Sequence, residues 1–224
     1  MRLDKYISKS LGVSRKDAKR FVLSGRVRVN GKIQKDPSVD VDKDQVEFDG
    51  ELLERPKDKV YIMLNKPAGF VSTTGRESPS ILELIDHPRI RELFPVGRLD
   101  KDAKGLIILT NDGIFSHRVT SPKSHVEKEY EVVVEGDVEN SLKLLDGVKL
   151  KDGHFAKALN VKLFENVVRI VIDEGKYHQI KRMMAAVGLR VVELKRIRIG
   201  DLHLDVPEGS WRELKEEEVK KVIK

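Results

Sequence analysis

Gly97-Arg98-Leu99-Asp100 stands just ahead of Gly105-Leu106-Ile107-Ile108-Leu109-Thr110. One guanidinium and one carboxylate therefore share a short loop before an apolar run that reads as a buried strand. A carboxylate fixed beside a cation is favoured in its charged form, the form a nucleophilic carboxylate needs. The plainer alternative is a turn aspartate capping its own backbone.

Two further segments could carry chemistry. Glu127-Lys128-Glu129-Tyr130-Glu131-Val132 puts Tyr130 at the start of a strand, where an aromatic by itself signifies core. Between Glu174 and Gly188, Ile180, Met183, Met184 and Val187 fall on one helical stripe, so the methionines are core. Lys181 lies on the flank of that stripe and can reach a cleft along the core edge. Arg182 lies almost opposite and should face water or a nucleic-acid backbone. His178 and Gln179 start the helix, where free backbone amides could meet phosphate. No second His, Asp or Glu sits at ligand spacing from His178, so no metal site is expected.

The elements that must hold these residues are strands punctuated by Gly and Pro. Val60 to Leu64, Leu106 to Leu109, Tyr130 to Val134, Ala158 to Leu163, Val167 to Ile172 and Leu189 to Leu194 read as strands. Ser141 to Leu145, Tyr177 to Val187 and Lys215 to Ile223 read as helices. Strand hairpins with inserted helices predict an α+β domain on a mostly antiparallel sheet, covering 59–224.

Residues 1–58 read as a separate small module of helices and a hairpin. Leu3, Ile7 and Leu11 mark one apolar helical stripe, with Tyr6 beside it. Ser14 is a helix N-cap with Asp17 three residues on, and Ala18, Phe21 and Val22 give the second helix its core face. Arg26-Val27-Arg28-Val29 alternates as a strand, and Asn30-Gly31 predicts a tight hairpin turn. Arg15, Lys16, Lys19 and Arg20 then share the polar side of the second helix, near Arg28 of the hairpin. Up to Lys35 the only acids are Asp4 and Asp17, so nucleic-acid phosphate is the better reading of this basic run than a merely solvated face. Arg55-Pro56-Lys57-Asp58-Lys59 reads as a linker.

Composition bounds the rest. Lys+Arg 43 against Asp+Glu 37 gives a net charge of +6 over 224 residues, which permits a polyanionic partner. The absence of cysteine excludes disulfides, a thiol nucleophile and thiolate metal sites. No run approaches a membrane span and the N-terminus has no apolar signal core, so a cytoplasmic protein without a membrane partner is expected. Neither a phosphate-binding Gly loop, a dinucleotide fingerprint nor Gly-x-Ser-x-Gly occurs.

Two resemblances follow from these segments. The order Arg2-Leu3-Asp4-Lys5-Tyr6-Ile7, Ser14-Arg15, Gly25-Arg26-Val27-Arg28-Val29-Asn30-Gly31 resembles the S-four-type RNA-binding domain. From Val60 on, Asn65-Lys66-Pro67-Ala68-Gly69, Gly97-Arg98-Leu99-Asp100, Glu127-Lys128-Glu129-Tyr130 and Gly175-Lys176-Tyr177-His178-Gln179-Ile180-Lys181-Arg182-Met183 resemble the RsuA-type pseudouridine synthases. Ser116-His117-Arg118-Val119-Thr120-Ser121-Pro122 and the Tyr177-His178-Gln179 spelling tilt towards the small-subunit ribosomal RNA branch. Ala103-Lys104 departs from the family's Ser or Thr and acidic residue, which bears on a local hydroxyl contact and not on the nucleophile.

The resemblance implies an isomerase that turns uridine in ribosomal RNA, or in a ribosomal subunit assembly intermediate, into pseudouridine. It implies no cofactor, and a monomer suffices. Asp100 would act at the sugar, either as nucleophile or by stabilising positive charge. Tyr130 would offer a ring for the flipped uracil, and its hydroxyl could shuttle a proton. Lys181 would keep Asp100 charged and oriented. Arg98 would hold flanking backbone or fill the vacated stack. A large-subunit RNA synthase would share every one of these residues. An RNA-binding assembly factor that keeps the fold without activity would be marked by loss of Asp100, Tyr130 or the cation, and all three are present.

Overall fold

The computed structural model describes residues 1–56, 59–75 and 77–223. Lys57 and Asp58 of the expected linker lie outside the described residues. The chain divides into two units. The first comprises Met1–Asp58 with Asp86–Arg91, and the second Lys59–Ile85 with Glu92–Lys224.

In the first unit α1 (Leu3–Leu11) and α2 (Arg15–Leu23) precede β1 (Val27–Val29), β2 (Lys32–Ile33), β3 (Val46–Phe48) and β4 (Glu51–Leu52). The Ser14 hydroxyl caps α2 by accepting from the Asp17 amide at 3.1 Å. Asn30 and Gly31 both take positive φ, at 50° and 76°, as the tight turn joining β1 to β2 requires. Leu3, Tyr6, Ile7, Ala18, Val22 and Val27 are buried together with Val41 and Val46. The helical and strand periodicities thus point to a common core.

In the second unit β5 (Tyr61–Lys66), β6 (Phe94–Pro95), β7 (Lys104–Thr110) and α3 (Gly113–Thr120) lead to β8 (Lys128–Glu135). A small hairpin of β9 (Val148–Lys149) and β10 (Phe155–Ala156) follows. Then come β11 (Asn160–Phe164), β12 (Val167–Ile172), α4 (Gln179–Ala186), β13 (Arg190–Ile199), β14 (Leu202–His203), β15 (Trp211–Glu213) and α5 (Glu216–Val222). Among the described residues nine strands make one sheet, in the order β11-β12-β8-β13-β7-β5-β15, with β14 beside β13 and β6 beside β7. The pairings are antiparallel except β13 with β7. β5 and β7 are buried along nearly their whole length, which explains their unbroken apolar text: a strand covered on both faces shows no alternation. Met63, Leu106, Ile108 and Ile199 pack on one face with Phe115 and Val119 of α3 and Val222 of α5.

Several boundaries differ from the sequence expectation. β13 runs to Ile199 because its polar residues alternate with buried ones and escape an apolar-run criterion. The helix expected over Ser141–Leu145 is a 3₁₀ turn from Val138 to Leu145. The helix expected from Tyr177 starts only at Gln179, because His178 takes φ 48° and lies outside it.

Gly105 is where β7 meets β13 in parallel. A Cβ there would lie 2.2 Å from the Arg196 carbonyl oxygen and 2.7 Å from its nitrogen, at φ +102°. Both objections are backbone, which cannot swing aside. Gly105→Ala should therefore lower the unfolding free energy by about 3 kcal/mol. Denaturant melts would check this, and a loss under about 0.5 kcal/mol, the scale of an ordinary surface substitution, would contradict it.

Candidate active site

The loop between β6 and β7 carries the Arg98–Asp100 segment and is braced from two sides. The Ser72 hydroxyl donates to the Leu99 carbonyl at 2.9 Å and accepts from the Leu99 amide at 3.2 Å. On the far side Lys66, fully buried, donates to the carbonyls of Pro67, Lys101 and Ala103 at 3.0, 3.1 and 2.6 Å. Burial pushes the Lys66 ammonium down to about 8, against the opposing pull of Asp102 and Asp100. Three carbonyls, of which that of Lys101 also accepts from the Gly69 amide at 2.7 Å, are thus tied to one side chain, and Asp100 sits on a loop fixed at both ends. Ala103, where the sequence departs from the resembled pattern, is buried.

Lys181, on the first turn of α4, reaches the loop. Its ammonium lies 3.1 Å from one Asp100 oxygen and donates to both oxygens of Asp102, at 2.7 and 2.9 Å. Burial works against its charge, but the hydrogen bonds to Asp102 and then Asp100 hold its pKa above the usual lysine value. The bond from Lys181 in turn holds Asp102 below the usual carboxylate range. His178 approaches the second Asp100 oxygen, Nε2 to Oδ1 at 3.4 Å, with its ring stacked on Tyr177 at 3.8 Å.

Asp100, Arg98, Tyr130 and His178 line one cavity of about 120 Å³, with Leu99, Ile172, Leu194 and Ile199 among its apolar walls. Tyr130 is buried on β8, and its hydroxyl has no hydrogen-bond partner among the described residues. Arg98 is exposed at the rim and likewise pairs with no described residue. The structure thus brings Asp100, Tyr130, Lys181, Arg98 and His178 to a single cleft.

Three expectations come out otherwise. The Gln179 amide is not free for phosphate: it donates to the Lys176 carbonyl at 3.1 Å, and the Gln179 side chain accepts from the Lys176 amide at 2.9 Å. Gln179 is buried and locks the turn into α4. His178 faces Asp100 because its positive φ takes it off the helix. Arg182 is only partly open to solvent: it pairs with Asp152 at 2.6 Å and donates to the Tyr177 carbonyl at 3.4 Å. In the first unit Arg15 also departs from the expected basic row. Its guanidinium donates at 2.8 and 2.9 Å to both oxygens of Asp4, a buried carboxylate that would be costly if left alone. Arg20 pairs with Asp17 at 3.5 Å on the surface. Lys16, Lys19 and Arg28 are exposed and make no ion pair among the described residues.

Sequence reasoning missed Lys66, Asp102, Lys128 and Arg196. For Lys128 a signal existed: it stands two residues before Tyr130 on an alternating strand and so shares its face. Arg196 is the cross-strand neighbour of Tyr130, a pairing that needed the sheet order.

This sheet and its carboxylate–lysine cleft define the class: the chain belongs to the RNA pseudouridylate synthase family, whose profile matches residues 60–186. An S4 domain matches residues 1–46. The chain is 47% identical to an uncharacterized RNA pseudouridine synthase of Aquifex aeolicus, over 99% of this chain and 96% of that protein. It is 43% identical to ribosomal small subunit pseudouridine synthase A of Escherichia coli K12, over the full length of both. A solved pseudouridylate synthase superposes with a TM-score of 0.70 at 38% identity, covering all of both chains.

Proposed function

We propose that the protein converts a uridine of small-subunit ribosomal RNA into pseudouridine, with Asp100, Tyr130 and Lys181 as its catalytic residues. The observation that carries this reading is Asp100, clamped by Lys181 at 3.1 Å, at the wall of a cavity that Tyr130 also lines. Extracting a base from its stack costs a few kcal/mol, and stacking on an aromatic ring returns roughly 1–3 kcal/mol. With the uracil lying along Tyr130, Asp100 meets the sugar. The bond from N1 to the anomeric carbon breaks with its electron pair passing to uracil. The base turns, carbon 5 bonds to the anomeric carbon, carbon 5 gives up its proton and N1 takes one up. Every atom and electron is retained, so the reaction is a redox-neutral isomerisation.

The choice of RNA rests on the small-subunit relatives and on free cations. Lys149 and Lys151 line a second cleft of about 470 Å³ beside Lys181 and Arg182, a path for backbone phosphate. Lys16, Lys19 and Arg28 give the first unit an exposed basic face. Removing one lysine or arginine that neutralises a phosphate should flatten the dependence of log K on log salt by about one unit. Replacing Lys16, Lys19 and Arg28 by alanine should therefore reduce the slope by up to about three. An unchanged slope would mean these residues are only a solvated face. The function itself is tested by incubating the protein with unmodified small-subunit ribosomal RNA and mapping pseudouridine. A new pseudouridine is expected at a defined position, and none in that RNA would overturn the assignment.

A further inference from the structure

The floor of the catalytic cavity holds two cations that the reaction as described above does not use. Lys128, Tyr130 and Val132 alternate onto one face of β8, and Arg196 and Leu194 sit opposite Tyr130 and Val132 on β13. Lys128 is 7% exposed and Arg196 4%, and both line the cavity. Lys128 donates to the Val126 carbonyl at 2.8 Å, and Arg196 Nε donates to the Leu106 carbonyl at 2.7 Å. Arg196 Nη2 is buried with no hydrogen-bond partner.

Neither cation bonds a carboxylate among the described residues. Burial, and then the charge of Arg196, push the Lys128 ammonium down to about 8, with Asp173 pulling the other way. Elsewhere this protein gives its buried charges full sets of partners: Asp4 carries two arginines, and Lys66 spends its ammonium on three carbonyls. Burying two like charges side by side without a counter-ion is costly, as is a buried donor without an acceptor. A chain that holds both in its catalytic cavity is built for an anion or strong acceptor that arrives with the substrate.

Resting on the pseudouridine synthase reading, we propose that Lys128 and Arg196 bind the carbonyl oxygens of the target uracil and stabilise the negative charge it carries while detached from the sugar. When the N1 bond breaks, the electron pair spreads from N1 over the two carbonyl oxygens. A base stacked along Tyr130 has its edge over the same face of β8 and β13. Donors fixed in place where charge develops act most strongly on the transition state. Asp100 would hold the sugar side of the breaking bond, and these two cations the base side.

Lys128→Met and Arg196→Met remove the charges and keep most of the side-chain length. With enzyme in excess over unmodified small-subunit ribosomal RNA, each should slow single-turnover pseudouridine formation by about 100-fold. RNA affinity by filter binding should be unchanged, and Arg196→Lys should recover part of the rate. Thermal midpoints should hold or rise in the methionine variants, because an uncompensated buried charge is gone. A merely structural role predicts falling midpoints instead. Wild-type rates in both methionine variants would overturn the proposal. So would a rate loss matched by a falling midpoint, or weakened affinity at an intact rate, which would mark a phosphate contact. A wild-type protein that isomerises no uridine would instead overturn the functional assignment itself, and with it this proposal.

Discussion

Asp100→Asn should abolish pseudouridine formation while leaving RNA affinity and folding intact. The amide matches the carboxylate in volume, and the loop that carries it is held by contacts Asp100 does not make. Ser72 brackets Leu99 from one side, and Lys66 gathers the carbonyls of Lys101 and Ala103 from the other. Lys181 keeps two bonds to Asp102 when its Asp100 partner is neutralised. Only the charge that meets the sugar is removed, and a neutral amide neither attacks the anomeric carbon nor offsets positive charge there. Losing such a group should cost about 10⁴-fold or more in rate. Single-turnover mapping on ribosomal RNA, with filter binding as the control, decides the matter. Turnover near wild type would remove Asp100 from the chemistry altogether.

The sequence made the chemistry-bearing loop legible because three local signals coincide there: an Arg-Leu-Asp run, glycines on either side and an unbroken apolar run from Leu106 to Leu109. The tight hairpin at Asn30-Gly31 was legible for the same reason, since its dihedral demand is local. Lys181 could be placed from helical periodicity alone, because the buried positions Ile180, Met183 and Met184 fix which way α4 turns. His178 could not, since its positive φ breaks the helical pattern at the residue that matters. Arg15 and Arg182 hold ion-pair partners that no local pattern records. Each looked like an open cation on a polar face, and each meets a carboxylate distant in sequence, Asp4 and Asp152. Arg196 lay furthest out of reach. Its position depends on β13 entering between β8 and β7, which no local pattern records.

Lys181→Met should reduce the rate by about 10²–10³-fold, with Arg182→Met close to wild type. The two residues are adjacent in sequence and both cationic, so the pair separates position from charge. Lys181 bridges Asp100 and Asp102. Its removal leaves two carboxylates facing each other two residues apart, and their repulsion moves Asp100 from its place at the cavity wall. Lys181→Arg restores a cation and should recover part of the rate. Recovery stays incomplete because a planar guanidinium cannot reproduce the compact contacts of an ammonium. Arg182 instead holds Asp152 at the edge of the neighbouring basic cleft. A partly exposed pair of this kind contributes about 0.2–1 kcal/mol, so its loss should appear as slightly weaker RNA binding with the rate preserved. Measuring kcat and RNA affinity for the three variants side by side distinguishes the roles. If Arg182→Met carries the rate defect and Lys181→Met does not, the cation that serves Asp100 during turnover is Arg182, and α4 must rotate when RNA binds.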